Sequence, residues 1–273
     1  MNLLFIDWDP PIGIPIGDFQ IRFYSLMFGL AFWSGYMKMR SSFKYENVST
    51  DRGADTLLMY MVISTLVGAR LGHVIFYGWD YYKDHLLEIF LPFEFSPFRF
   101  TGFQGLASHG ATVGILLALY IYSKRISKRP FLWIIDRMTI AASIGGMFVR
   151  IGNLMNSEII GKTTDVPWAF VFKRIGEEPR HPTQLYEAAA YFIIFLILNH
   201  LYYKRDKGKS EGFLTGVFFI LLFTFRFFIE FLKENQESFE NDMVFNMGQY
   251  LSLPFIAVGV ILILKNRKSK SIV

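Results

Sequence analysis

The sequence predicts an all-α, polytopic membrane protein with seven transmembrane helices, the N-terminus outside, the C-terminus cytoplasmic, and a small extracytoplasmic cap. Three observations predict it. Apolar residues make up 52% of the 273 positions and charged residues only 19%, below the roughly 25% of a soluble domain. The apolar residues fall into seven blocks, each at or near the roughly 20 helical residues that cross a hydrocarbon core of about 30 Å. Lys and Arg then gather in every second link between the blocks. This much apolar surface excludes a disordered chain. The absence of Cys excludes a disulfide scaffold, and any reactive thiol must come from outside the chain. The net charge of +5 is placed as a membrane protein places it, and no nucleic-acid partner is expected.

The elements follow in order. Residues 1–18 hold no Lys or Arg and carry Asp7, Asp9 and Asp18. They lack the basic start and small-residue cleavage site of a secretory signal, so the first crossing should be retained. With Pro10, Pro11, Pro15 and intervening glycines, this stretch is expected to be irregular and to rest on the outer surface beside Trp8 and Phe19. Block one, 19–38, enters with Arg22 and Tyr24 near its outer end. Lys38, Arg40, Lys44 and Arg52 hold the next link in the cytoplasm. Block two, 55–77, returns and brings Arg70 and His73 to the outer level. Segment 79–106 is rich in aromatic residues, as expected near lipid headgroups. Block three, 107–123, is the shortest and most Gly-rich, and enters with Ser108-His109-Gly110. A cytoplasmic link with Lys124, Arg125, Lys128 and Arg129 follows.

Block four, 130–149, has Asp136 and Arg137 towards its cytoplasmic end and finishes at Arg150. Segment 150–184, polar with Gly, Pro and short β-like stretches over 168–172, is expected to form the cap between helices four and five. Block five, 185–203, enters with Gln184, Tyr186 and Glu187, and the link 204–211 is basic again. Block six, 212–232, rises outward. Glu230 and Lys233 lie four and seven residues beyond Arg226 and so share its face. Block seven, 246–264, ends in a basic tail. Residues 1–273 are expected to form a single integral membrane domain.

This topology places ionisable or hydrogen-bonding groups of six helices in the outer leaflet zone. A charge at the bilayer centre costs about 2.5–3.5 kcal/mol on the insertion scale, so these groups should face one another or a wet cavity. Structural ion pairs, such as Arg226 with Glu230, are one reading. The other is a cationic cavity, because Arg22, Arg70, Arg150 and Arg226 outweigh Glu187 and Glu230. Such a cavity suits an anionic headgroup, since the guanidinium fork matches phosphate oxygens.

Two stretches are more specific than composition. In Ser108-His109-Gly110-Ala111-Thr112-Val113-Gly114 a His opens a helix, and Gly110 with Gly114 forms a small-xxx-small pair. In Arg150-Ile151-Gly152-Asn153-Leu154-Met155-Asn156-Ser157-Glu158-Ile159-Ile160-Gly161 an Arg, two Asn and a Glu crowd the exit of block four. The second stretch resembles the signature of the bacterial prolipoprotein diacylglyceryl transferase family, Gly-Arg-x-Gly-Asn-Phe-x-Asn-x-Glu-x-x-Gly. Val149 replaces the first Gly and Leu154 the Phe. His109-Gly110 is similar to the family's His-Gly-Gly-x-x-Gly segment, with Ala111 for the second Gly. The runs 180–187 and 226–230 resemble its Arg-His-Pro-Ser-Gln-Leu-Tyr-Glu segment and its Arg-Phe-x-x-Glu helix, with Lys233 where Arg is common. Residues 247–252 also fit.

The resemblance implies a seven-helix transferase of the bacterial cytoplasmic (inner) membrane with its site towards the outer leaflet. It implies phosphatidylglycerol and the signal peptide and lipobox of prolipoproteins as partners within the membrane lipid. The diacylglyceryl group moves to the lipobox thiol, a thioether forms and glycerol phosphate leaves. No cofactor or metal is implied. On this reading Arg150 and Arg226 meet the phosphate, and electrostatic stabilisation of its developing charge is their task. His109 either takes the thiol proton or orients lipid or peptide. Tyr24, Gly110, Asn153, Glu158, Gly161 and Glu230 are expected to contact substrate or support the arginines, Glu158 and Gly161 through the shape of the turn. A transporter of an anionic solute is the alternative, although no internal repeat of the kind transporters carry is visible. A metal-dependent lipid phosphotransferase needs clustered carboxylates, and Asp136 has no companions.

Overall fold

The structure, a computed structural model, describes residues 5–17, 19–48, 51–95, 98–100, 105–204, 210–235, 240 and 243–270. Strands β1 (Ile6–Trp8), β2 (Gly13–Ile16) and β3 (Phe19–Arg22) precede the helices α1 (Phe23–Tyr45) and α2 (Asp51–Phe76). Short helices α3 (Trp79–Tyr82) and α4 (Leu87–Phe90) and the strands β4 (Phe93–Phe95) and β5 (Phe98–Phe100) lead to α5 (Ser108–Tyr122). Then come α6 (Phe131–Asn156), β6 (Phe170–Phe172), β7 (Pro179–Arg180), α7 (Thr183–Lys204), α8 (Phe213–Ile229) and α9 (Met247–Lys270).

Helices dominate. Among the described residues five segments, Gly53–Phe76, Phe131–Asn156, Thr183–Lys204, Phe213–Leu232 and Met247–Asn266, are long and apolar enough to cross a membrane. Each of the seven expected blocks holds a helix, but two fall short of that standard. Helix α1 has 23 residues, yet Lys38, Arg40 and Lys44 lie inside it. Helix α5 has 15 residues, a rise of about 22 Å against a core of about 30 Å.

The start of the chain departs from expectation. It is not irregular: β1 pairs in parallel with β6, and β2 pairs antiparallel with β3. Helix one begins at Phe23 rather than at residue 19, because residues 19–22 are taken up by the hairpin ladder. Arg22 therefore sits opposite Gly13 in a strand and is exposed.

Two compact units are distinguished, Met1–Ser41 with Ile135–Val273, and Ser42–Ile134. In the first, α6, α7 and α8 meet around Ile140, Ile194, Leu198, Tyr202, Leu214, Phe218 and Leu222. The i, i+4 spacing of 194, 198, 202 and of 214, 218, 222 stacks one stripe per helix. Lipid is as apolar as these side chains, so close packing rather than exclusion from water holds them. Asp136, fully buried, closes the N-terminus of α8. Its carboxylate accepts from the backbone N–H groups of Gly212 at 2.7 Å and Thr215 at 2.8 Å and from the Thr215 hydroxyl at 2.6 Å. Those are orphan donors of a helix start. The carboxylate of Asp136 thus caps α8.

The same unit holds a three-stranded sheet in the order β1-β6-β7. Leu154, Phe170 and Phe172 are buried beneath it with Trp8, whose indole N–H donates to the Leu154 carbonyl at 2.9 Å. In the second unit α2 and α5 pack backbone to backbone. A Cβ on Gly68 would lie 2.5 Å from the Gly110 carbonyl oxygen, and one on Gly110 would lie 2.7 Å from the Gly72 Cα. Only glycine permits that approach. Arg70, buried towards the C-terminal end of α2, donates to the Ile89 carbonyl at 3.0 Å and lies over the Tyr82 ring. It thereby ties the aromatic segment after α2 to that helix.

Candidate active site

The site is built from the end of α6 upward. The helix stops because Ser157 and Ile159 both take left-handed backbone angles, φ 56° each. A β-branched residue there is strained, and its surroundings hold it. The Thr183 hydroxyl donates to the Ile159 carbonyl at 2.9 Å, and the Gln184 amide to the Glu158 carbonyl at 2.6 Å. The Glu158 N–H donates back to the Asn153 carbonyl at 2.9 Å. This turn brings the Glu158 carboxylate to the side-chain amides of Asn153 (3.3 Å) and Asn156 (3.0 Å). Asn153, buried, accepts in turn from an Arg150 Nη at 3.3 Å. The Tyr24 ring lies against Gly152, the residue before Asn153. Gly161 is where the chain after the turn passes between backbones. Its N–H donates to the His181 carbonyl, and a Cβ there would lie 2.6 Å from that oxygen and 2.9 Å from the Leu232 carbonyl oxygen.

Arg150 and Arg226 are each held by a buried carboxylate. The Arg150 Nε lies 3.3 Å from the Glu187 Oε2, and the Arg226 Nε 3.8 Å from the Glu230 Oε1. Glu230 also accepts from the Asn246 amide at 3.1 Å. Lys233 ends the 3₁₀ turn that continues α8, and its Nζ stands 3.1 Å from Glu187 and 3.1 Å from Glu230. The helical spacing of 226, 230 and 233 gave the Arg226, Glu230 and Lys233 association in advance. Glu187 reads from sequence only as a charge near some Arg. Asn246 follows a long excursion from α8 and no spacing points to it.

The structure thus brings together Tyr24, Arg150, Asn153, Glu158, Gly161, Arg226 and Glu230 in the first unit. His109 and Gly110 belong to the second. Gly110 is in the contact between α2 and α5 described above. His109 is the second residue of α5, exposed, with its ring 5.0 Å from that of Phe76 and 5.8 Å from that of Tyr77. It stands at the edge of an apolar groove of about 760 Å³ along α2 and α5, lined among others by Ser64, Gly68, Gly72, Val113 and Leu117. Among the described residues no group of three or more His, Asp or Glu is placed to hold a metal ion.

What the first unit offers chemically is two guanidinium groups, partly uncovered and backed by buried carboxylates. Such groups donate to a phosphate through a planar fork. Their carboxylate partners offset the cost of burying the cations, which is several kcal/mol per ion when uncompensated.

Known proteins resemble the chain along nearly its whole length. A family model described as prolipoprotein diacylglyceryl transferase matches residues 11–265. A phosphatidylglycerol–prolipoprotein diacylglyceryl transferase of Bacteroides fragilis is 43% identical over 274 residues, covering 99% of this chain and 98% of its own. Proteins of the same name from Tolumonas auensis and Chloroherpeton thalassium are 41% and 42% identical, covering 98% and 97% of this chain and 100% and 95% of theirs.

Proposed function

Because the chain belongs to the prolipoprotein diacylglyceryl transferase family, we propose that it transfers the diacylglyceryl group of phosphatidylglycerol to the lipobox cysteine of prolipoproteins. This is the first step of lipoprotein maturation. The substrate sulfur bonds to the glyceryl carbon, the carbon–oxygen bond to phosphate breaks, and glycerol phosphate leaves with the electron pair. Two requirements follow. The thiol, with a pKa of about 8.5, must lose its proton. Negative charge must be accepted on the departing phosphate.

Arg150 and Arg226 meet the second requirement. The observation that carries this reading is that both are held by buried carboxylates of one unit, while the Arg226 side chain stays 39% exposed. His109 serves the first requirement as proton acceptor, or else it orients lipid or peptide. Tyr24, Asn153 and Glu230 contact the glycerol headgroup or hold the arginines. Glu158 and Gly161 act through the turn they shape, and Gly110 through the helix contact that presents His109. The reading places the protein in the bacterial inner membrane as one integral domain. It has seven crossings, the N-terminus outside and the tail in the cytoplasm. Residues 150–184 form the outer cap, and the site opens to the outer leaflet and the lipobox of a signal peptide.

Membranes containing the protein, phosphatidylglycerol and a lipobox peptide should yield a peptide heavier by one diacylglyceryl group in mass spectrometry. Arg150→Ala and Arg226→Ala should each lower the rate about 10²–10³-fold, the usual loss for a transition-state donor, with membrane insertion intact. A peptide of unchanged mass with the wild-type protein would overturn the transfer. Near-wild-type rates for both variants would overturn the phosphate assignment.

A further inference from the structure

We propose that Lys233 is a positioning residue for the transfer, setting both the place and the surplus charge of Arg150 and Arg226. The inference rests on the transfer reading above. Five groups form one unbroken row, Arg150, Glu187, Lys233, Glu230 and Arg226, with neighbouring charges 3.3, 3.1, 3.1 and 3.8 Å apart. The two arginines end the row, and their side chains keep 13% and 39% of their surface open. Lys233 is its centre, with only 3% open. A group so covered, with its ammonium already shared between two carboxylates, has no route to a substrate and acts through its neighbours.

The charges decide what that action is. Three cations face two carboxylates, so the row carries one surplus positive charge. Without Lys233 the count is two against two. Glu187 and Glu230 would then be free to draw the guanidinium groups fully onto themselves, and an arriving phosphate would have to displace them. With Lys233 present each carboxylate is already engaged by an ammonium, as Glu230 is also by the Asn246 amide at 3.1 Å. The arginines are steered by the carboxylates without being neutralised by them. Electrostatic preorganisation of this kind is effective because the groups need not reorient when charge develops.

The test uses the full-length protein in phosphatidylglycerol membranes, with kcat and KM for a lipobox peptide read by mass spectrometry and lipid retention by native mass spectrometry. Lys233→Met should lower kcat about ten- to a hundredfold, the usual loss when a partner behind a functional group is removed, with a smaller change in KM. Lys233→Arg should recover most of that loss. The double variant Lys233→Met with Glu187→Gln restores one surplus charge and should recover about tenfold over Lys233→Met alone. Wild-type kcat in folded Lys233→Met, or a double variant no better than the single one, overturns the proposal. If the wild type transferred nothing, the transfer reading would fail by itself. Lipid retention would then judge Lys233, by weaker retention in Lys233→Met and recovery in the double variant.

Discussion

His109 has aromatic neighbours at and just beyond the end of α2, Phe76 and Tyr77, and is exposed, and its two possible roles separate by pH. If it takes the thiol proton, His109→Gln loses rate near neutrality and regains it as pH approaches about 8.5, where the peptide thiol ionises unaided. If it orients a substrate, the deficit is the same at every pH. A pH–rate profile of wild type and variant decides between them. A second histidine gives a prediction about stability. Burial holds the His181 pKa below its ordinary value, about 6.5 in a free chain. The folded state therefore favours neutral His181. Its contribution is complete above about pH 6.5 and declines below it, because the unfolded chain takes up the proton first. The amides of Thr164 and His181, which donate to the Pro179 and Lys162 carbonyls at 2.9 and 3.1 Å, should lose hydrogen-exchange protection as pH falls from 7 to 5. Protection factors unchanged over that range would refute the coupling.

At the scale of elements, Asp136 joins α6 to α8. Asp136→Ala leaves two backbone N–H groups and the Thr215 hydroxyl without their acceptor. The expected loss is about 1–3 kcal/mol, the cost of orphaned buried donors, read as a lower thermal midpoint in detergent. An unchanged midpoint would mean that water replaces the carboxylate. The helices were legible because each block repeats its apolar residues over many turns. Strand β6 was legible too, within the β-like stretch 168–172, but β1, β2 and β3 were not. They are three or four residues long, too short for an alternation to register, and Pro10, Pro11 and Pro15 read as irregular chain. β1 in addition depends on a partner far along the chain, Phe170–Phe172, which no local pattern announces. The site shows the same division. Arg226, Glu230 and Lys233 were readable from helical spacing, whereas Asn246 reaches Glu230 only through the fold.

For the whole molecule, the alternation of basic and non-basic links predicts which face each link occupies. The chain has no Cys, so single cysteines report cleanly. A membrane-impermeant thiol reagent added outside should label a cysteine at Thr163 and not one at Lys128. The reverse pattern would invert the topology and move the cap, with residues 150–161, to the cytoplasm. Composition and link charge made the multi-pass architecture readable. The shortness of α5 was legible as well, because block three is the shortest and its apolar run ends at Tyr122, where the helix gives way to a π-helical turn at Ser123–Ser127.

The parallel pairing of β1 with β6 couples Ile6 to Phe170. A ribosome adds about 5–20 residues each second, so on the order of ten seconds separates the birth of the two strands. Until then β1 waits with its hydrogen-bonding edge vacant, while the helices between the two strands are still being made. The sheet of β1, β6 and β7 is accordingly a late product of biogenesis. A chain stalled before residue 170 should leave β1 open to protease, and one released after residue 180 should not.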